Sequence, residues 1–355
     1  LIAARIGRAL LTAGLFLSVS LAAPARAQSM ASPFPPYAGP TPSGPFACPT
    51  PAVPIVDLDL PSYYSDAARS VIDLERSRLT AERAKPVRLF LAQMASVADR
   101  AHAGDEAAAG CALDRMAHWA GAGALTGEMT QQGVYEMTWT TAGLALAYLK
   151  LRNVPGLDAA KQKTVEAWLG RLAAKIRPPF DRPNRIDSRN NHAYWAGLAV
   201  AAVGVATDKE PLLEWGVERY RVGLNEIAED GTLPLELARR GRALHYHLFA
   251  LSPLVLMAEL GAANGLDLYE EYDGALHRLV RRAVEAIDDR KGFSALAGAN
   301  QVPLRLAGDE AAWLAPYSVR FDDADVRRLA AAARTIRAPR LGGDLGAAFP
   351  LPEQP

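Results

Sequence analysis

From about residue 66 onward, apolar residues recur at spacings of three and four, the mark of helices that bury one face. The pattern predicts helices over about 66–82, 86–103, 106–122, 137–152, 158–176, 188–206, 210–227, 240–264, 267–288 and 323–335. The breaks carry turn residues: Asn153-Val154-Pro155-Gly156, Pro178-Pro179, Asp230-Gly231 and Gly261 to Gly265. Alternating β-branched runs are nearly absent, so the fold class is all-α. Short connections predict antiparallel helical hairpins, which can stack as a solenoid or close into an α/α toroid. No fixed-period repeat marks a tetratricopeptide or ankyrin array, and no shift in composition marks a second domain.

The first 57 residues are different. Arg5 and Arg8, an apolar run from Ala9 to Ala23 and Ala25-Arg26-Ala27 together read as a signal peptide over 1–27, cleaved before Gln28. That run is short of the ~20 residues needed to cross a bilayer, and no later segment reads as a span. Residues 28–57 hold nine of the 25 prolines and no periodicity, predicting an extended, loosely packed arm before a single domain over 58–355. Export to the periplasm or beyond changes the reading of Cys48 and Cys111. In an oxidising compartment a disulfide tying the arm to the body is the simplest pairing, and two buried thiols are the alternative.

With 39 basic and 39 acidic residues, the chain lacks the basic excess of a nucleic-acid binder. The predicted signal carries three arginines and no acid, so the remainder is slightly acidic. A polyanionic partner must therefore be met by a local cleft of positive charge.

Two segments carry candidate chemistry. The first is Asp187-Ser188-Arg189-Asn190-Asn191-His192-Ala193-Tyr194-Trp195. With Asp187 or Ser188 as cap, the first helical turn would offer free N–H groups and the helix dipole to an anion, joined by the Asn191 and His192 side chains. The second is Glu236-Leu237-Ala238-Arg239-Arg240-Gly241-Arg242-Ala243-Leu244-His245-Tyr246-His247. On a continuous helix Arg239 and Tyr246 would share one face, and Arg242 would adjoin Tyr246. A guanidinium that close would lower the phenol pKa from about 10. His245 and His247 point apart on a helix and no HExxH pattern or cysteine pair completes a site, so no metal and no cofactor is expected. Asp187, Glu229, Asp230 and Glu236 remain candidates for the acid and base of a toroid glycoside hydrolase.

Asn190-Asn191-His192-Ala193-Tyr194-Trp195 followed by Arg239-Arg240-Gly241-Arg242-Ala243-Leu244-His245-Tyr246-His247 resembles the periplasmic alginate lyases of polysaccharide lyase family five. The likeness runs from about Cys48 to Tyr317. It includes Ser62-Tyr63-Tyr64, Cys111-Ala112-Leu113-Asp114, Trp139 with Ala147-Tyr148-Leu149, and Trp313-Leu314-Ala315-Pro316-Tyr317. The resemblance implies an incomplete α/α toroid with a deep cleft, no metal, and eliminative cleavage of alginate, chiefly at β-D-mannuronate. It places the catalytic roles on Asn191, His192, Arg239 and Tyr246. It also marks Tyr63, Tyr64, Trp139, Asn190, Tyr194, Trp195, Arg240, Arg242 and His245 as candidate substrate contacts, with Tyr63 or Tyr64 in a mobile lid. Gly241 is an unusual residue for a helix interior and calls the regularity of that turn into question.

The chemistry of that reaction fits these residue types. H5 of a uronate is α to a carboxylate and very weakly acidic, so the carboxylate must be neutralised before the proton can leave. Asn191, His192 and Arg239 could supply that, at about 2.7–4 kcal/mol for each donor by analogy with an oxyanion hole. H5 and O4 lie on the same side of mannuronate, so one tyrosine can serve as base and then acid. The competing readings are a lyase on another polyuronate, a two-carboxylate hydrolase, and a non-catalytic polysaccharide-binding subunit of an alginate export machinery.

Overall fold

Helices that are apolar all round alternate along the chain with helices that are apolar on one face. The computed structural model describes residues 29–41, 44–333 and 336–350; the predicted signal over 1–27 lies outside them. The main helices are α1 (Leu74–His102), α2 (Glu106–Gly121), α3 (Gln131–Leu151), α4 (Ala159–Phe180), α5 (Asn191–Ala206) and α6 (Glu210–Asn225). After the one-turn α7 (Pro234–Leu237) come α8 (Ala243–Ala263), α9 (Glu271–Asp288), α10 (Arg290–Leu296), α11 (Leu314–Arg320) and α12 (Ala324–Ala332). A helix that is apolar on every side must be covered on every side. All of α5 is buried, as is nearly all of α3 and α8. These pack in the order α1–α3–α5–α8 as an inner layer, with α2, α4, α6 and α9 behind them. The result is an incomplete α/α toroid, as the resemblance implied, built of the antiparallel hairpins that the periodicity predicted.

Several boundaries differ from expectation, each for a local reason. One helix replaces the predicted 66–82 and 86–103: α1 runs through Pro86, and Glu82, whose carbonyl Pro86 leaves without its helical donor, is exposed. Pro178 and Pro179 lie inside the last turn of α4, which continues to the buried Phe180. Asp187 and Ser188 form a 3₁₀ turn, and Asn190 is the cap of α5. The stretch Arg240–Ala263 is long and apolar enough to cross a membrane, contrary to expectation, but most of it is buried in the body as a core helix.

The C-terminal segment was not foreseen at all. Strands β1 (Arg337–Ala338) and β2 (Gly343–Asp344) pair antiparallel around a turn, before the short α13 (Leu345–Ala348). The turn lies directly on α3. A Cβ on Gly143 would come within 2.3 Å of the Pro339 carbonyl, and one on Gly342, at φ 87°, within 2.8 Å of Leu146 Cβ. These two glycines let the turn approach closely enough to send Arg340 into the cleft described below.

The described residues of the proline-rich arm form no helix or strand, yet they are held more firmly than its composition suggests. Phe34 is buried against His102 and Phe349. Trp119 Nε1 donates to the Ala52 carbonyl at 3.0 Å, and Leu125 N donates to Ile55 O at 2.8 Å. Cys48 and Cys111 form a disulfide with Cα atoms 5.8 Å apart across 63 residues of sequence. For a loop of that length the chain-entropy model gives about 4 kcal/mol. Replacing both cysteines by alanine should therefore lower unfolding free energy by up to that amount in a denaturant titration. A change below about 0.5 kcal/mol would show that the arm's packing holds it without the bond.

Candidate active site

Arg239 cannot follow the helical geometry expected of it, because the chain leaves helix before reaching Tyr246. Arg240 has φ 53°, residues 240–242 form a 3₁₀ turn, and α8 begins only at Ala243. Gly241 is thus a turn residue. The kink still brings the Arg239 guanidinium over the Tyr246 ring, 4.1 Å from its centroid, with Arg242 at 5.8 Å. Tyr246 is buried at the wall of a cleft of about 500 Å³, and its hydroxyl meets that of Tyr64.

His192 lines the same cleft, stacked on Tyr135 at 3.7 Å between ring centroids. The Tyr135 hydroxyl donates to Asp187, which Arg185 also grips at 2.7 and 2.8 Å. Burial holds the His192 imidazole well below its ordinary range; Arg239 and Arg69 add to the effect and Asp187 opposes it. The ring is therefore neutral near pH 7 and offers a hydrogen bond or a proton acceptor, not a charge. Burial likewise pushes the Tyr246 phenol above 10, with Tyr63 adding to it, while Arg239, the Tyr64 hydroxyl and Arg242 pull it down. The expected net lowering is thus corrected: desolvation outweighs the guanidinium groups.

Asn191 stands one layer behind the wall. Its backbone N–H and its side-chain amide both donate to Glu236 Oε1, at 2.8 and 2.7 Å, and the N–H of His192 is taken by the cap Asn190. The predicted anion at this helix N-terminus is therefore a protein carboxylate, fully buried, whose other oxygen lies 3.6 Å from Arg239 Nε. Burial raises the Glu236 pKa against the pull of Arg239 and the Asn191 donors. Glu236 links the two elements that carry Asn191 and Arg239.

Tyr63, Tyr64, Trp139, Arg242 and His245 line the cleft as expected of substrate contacts. Asn190, Tyr194, Trp195 and Arg240 do not. Tyr194 donates to Arg189 O and Trp195 to Phe249 O from within the core, Asn190 is a cap, and Arg240 points to solvent. Of the hydrolase carboxylates, Asp187 and Glu236 are buried in these networks, and Glu229 and Asp230 lie outside the cleft. Asp309 and Glu310 do line it, but Arg340 holds the first at 2.9 Å and His245 Nδ1 the second at 2.5 Å. His247 faces the core, bonded to Leu233 N and Ala243 O.

Arg69, Arg88, Tyr135 and Arg340 are among the lining groups that escaped the sequence reading, as are Asp309 and Glu310. Arg340 lies 4.5 Å over the Trp139 ring, and the buried Glu136 takes two bonds from Arg88 at 2.6 and 2.7 Å. Burial pushes the Glu136 carboxyl up, but Arg88 and Arg340 hold it below its ordinary value. Among the described residues no cluster of three or more His, Cys, Asp or Glu side chains is placed to share an ion.

An open α/α toroid with a cation-lined cleft and a buried tyrosine under a guanidinium is the architecture of a polysaccharide lyase. The chain belongs to the alginate lyase family, whose sequence model matches residues 58–293. A polysaccharide lyase of Stenotrophomonas maltophilia (strain K279a) is 38% identical over 294 residues, 81% of this chain and 86% of that one. An alginate lyase of Pseudomonas syringae pv. syringae (strain B728a) is 37% identical over 242 residues, and the match spans 64% of its length. Among solved structures, alginate lyase A1-III from Sphingomonas species A1 superposes with a TM-score of 0.75 at 24% identity, covering 89% of this chain and 90% of that one. A variant of A1-III complexed with a tetrasaccharide gives 0.79 at 25% identity, with 90% of each chain covered.

Glu236 yields a prediction that separates charge from hydrogen bonding. Glu236→Gln keeps an acceptor for Asn191 and should leave unfolding free energy within about 1 kcal/mol of the parent. Glu236→Leu orphans two buried donors and should cost about 1–3 kcal/mol for each. Equal stability of the two variants in urea titration would show that the Asn191 bonds contribute nothing.

Proposed function

We propose that this chain cleaves alginate at β-D-mannuronate by β-elimination, in the periplasm or outside the cell once residues 1–27 are removed. The observation that carries the reading is the Tyr246 phenol at the cleft wall, beneath Arg239 and beside Arg242. A uronate carboxylate entering the cleft meets these cations and the neutral His192, and is stabilised as charge moves onto it. The Tyr246 phenolate takes H5. The C5 electron pair forms the C4=C5 bond as C4–O4 breaks, and the phenol returns its proton to O4. Tyr246 ends as it began, and the new non-reducing end is a 4,5-unsaturated uronate. The Tyr64 hydroxyl now occupies the partner position of Tyr246, so bound sugar must displace it, which fits the role of a lid residue. The Cys48–Cys111 bond supports an oxidising location.

The substrate test is the absorbance of the conjugated uronate released from block polymers. Mannuronate blocks should be cleaved at least tenfold faster than guluronate blocks, where H5 and O4 lie on opposite faces. The estimate is roughly the 10²–10⁴ that one positioned proton-transfer group supplies, reduced for imperfect blocks. Equal rates, or turnover confined to another polyuronate, would contradict the reading.

The pH profile tests the base. Because burial keeps the Tyr246 pKa above 10, its phenolate fraction grows about tenfold per pH unit below that value. The logarithm of kcat/KM should therefore climb with a slope near one from about pH 7 to 9. A flat profile over that range would assign the base to His192, which is already neutral there.

A further inference from the structure

The C-terminal hairpin that delivers Arg340 to the cleft lies lengthwise along α3. Glu136, Trp139, Gly143, Leu146 and Lys150 succeed one another at spacings of three and four, so they form one stripe of that helix. At one end Arg340 sits over Trp139 and within 3.7 Å of Glu136, and the turn crosses Gly143 and Leu146 in the middle. Lys150, which is buried, holds the other end. Its ammonium donates to the Gly342 carbonyl at 2.9 Å and to Asp99 Oδ1 of α1 at 2.6 Å. Asp99 Oδ2 accepts the Asp344 N–H at 2.9 Å, and the Phe34 ring of the N-terminal arm covers the ammonium at 4.8 Å. Moving the hairpin would strand a charge and a carbonyl away from water, so the clasp resists displacement.

What the clasp holds in place is the charge balance of a cleft that must admit a polyanion. Glu136 is paired with Arg88, and Asp309 has Arg340 as its one ion-pair partner among the described residues. With Arg340 at the wall, two guanidinium groups balance two carboxylates. With Arg340 withdrawn, Asp309 would line the cleft as an uncompensated negative charge. A like charge facing an incoming anion weakens its binding.

We propose that Lys150 is a positioning residue for the reaction: it fixes the reach of Arg340 into the cleft, and through Arg340 it keeps Asp309 from repelling the polyanion. Lys150 itself touches no substrate, being eleven residues and about 16 Å along α3 from Trp139. The effect on turnover rests on the polyuronate reading above, whereas the placement of Arg340 is independent of it.

The test is a double-mutant cycle of Lys150→Met and Arg340→Ala, read as steady-state rates on polymannuronate. Lys150→Met should raise KM roughly three- to tenfold, the worth of one partly screened charge, with kcat within about twofold of the parent. Arg340→Ala should raise KM at least as much, and adding Lys150→Met to it should change KM by less than about twofold. An unchanged KM in Lys150→Met, or effects that multiply in the double variant, would reduce Lys150 to a stability residue and overturn the proposal. Should Lys150→Met not fold, Asp99→Asn is the milder break: its amide has one acceptor oxygen for the two donors that Asp99 serves. Its KM should move in the same direction, and again not in the Arg340→Ala background. Fluorine-labelled tryptophan reads the placement without substrate. The Trp139 resonance, assigned by its loss in Trp139→Phe, should shift in Lys150→Met or Asp99→Asn in the direction that Arg340→Ala shifts it. A Trp139 resonance that stays at its parent position would overturn the proposal. A parent protein inactive on every polyuronate would remove the reading of function and leave the fluorine spectrum to decide this one.

Discussion

A guanidinium lying on the face of a buried phenol, 4.1 Å from the ring centroid, is the contact that the rest of the site depends on. Burial alone would make Tyr246 a poor base, because a phenolate deprived of water is costly. Arg239, the Tyr64 hydroxyl and Arg242 oppose that cost. The arrangement requires Arg239 to fold back over a residue seven positions ahead of it. The chain does this by leaving helix at Arg240 in a left-handed conformation and re-entering it at Ala243. Glu236, buried behind, links Arg239 to the first turn of α5, so the kink and the histidine-bearing helix are held as one unit.

The toroid makes this possible by burying polar groups in pairs. Asp187 is gripped by Arg185 and Tyr135, and Glu136 by Arg88 and Arg340. Each carboxylate is desolvated yet remains bonded, the condition under which buried charge is tolerated. These pairs fix the aromatic and cationic side chains of the cleft wall. Tyr135 stacks on His192, and Arg340 covers Trp139.

The inner helices were legible in sequence because α5 and α8 are predominantly apolar past their first turns, and the two polar segments stood out against them. The direction of their side chains was not. Helical spacing placed Arg239 on a regular helix that the chain does not form, and an open helix N-terminus suggested an anion site that Glu236 already fills. Tyr194 and Trp195 looked like sugar contacts, but their polar atoms serve backbone carbonyls. Arg340 had no local signal: it arrives from a two-residue hairpin too short for any periodicity, through a gap that Gly143 leaves in α3. The short glycine-to-backbone distance is a tertiary fact, absent from the pattern along the chain.

The account stands on Tyr246 as the group that moves the proton. Tyr246→Phe removes one oxygen, keeps the ring under Arg239, and leaves Tyr64 as the hydroxyl that loses its partner. The decisive measurement is the initial rate of unsaturated-product formation from polymannuronate by this variant, alongside its affinity for the polymer. The account predicts a fall of about 10²–10⁴ or more in rate, with affinity changed less than about tenfold. A variant that kept more than about a tenth of the parent rate would contradict it and leave the Arg239–Tyr246 contact as packing.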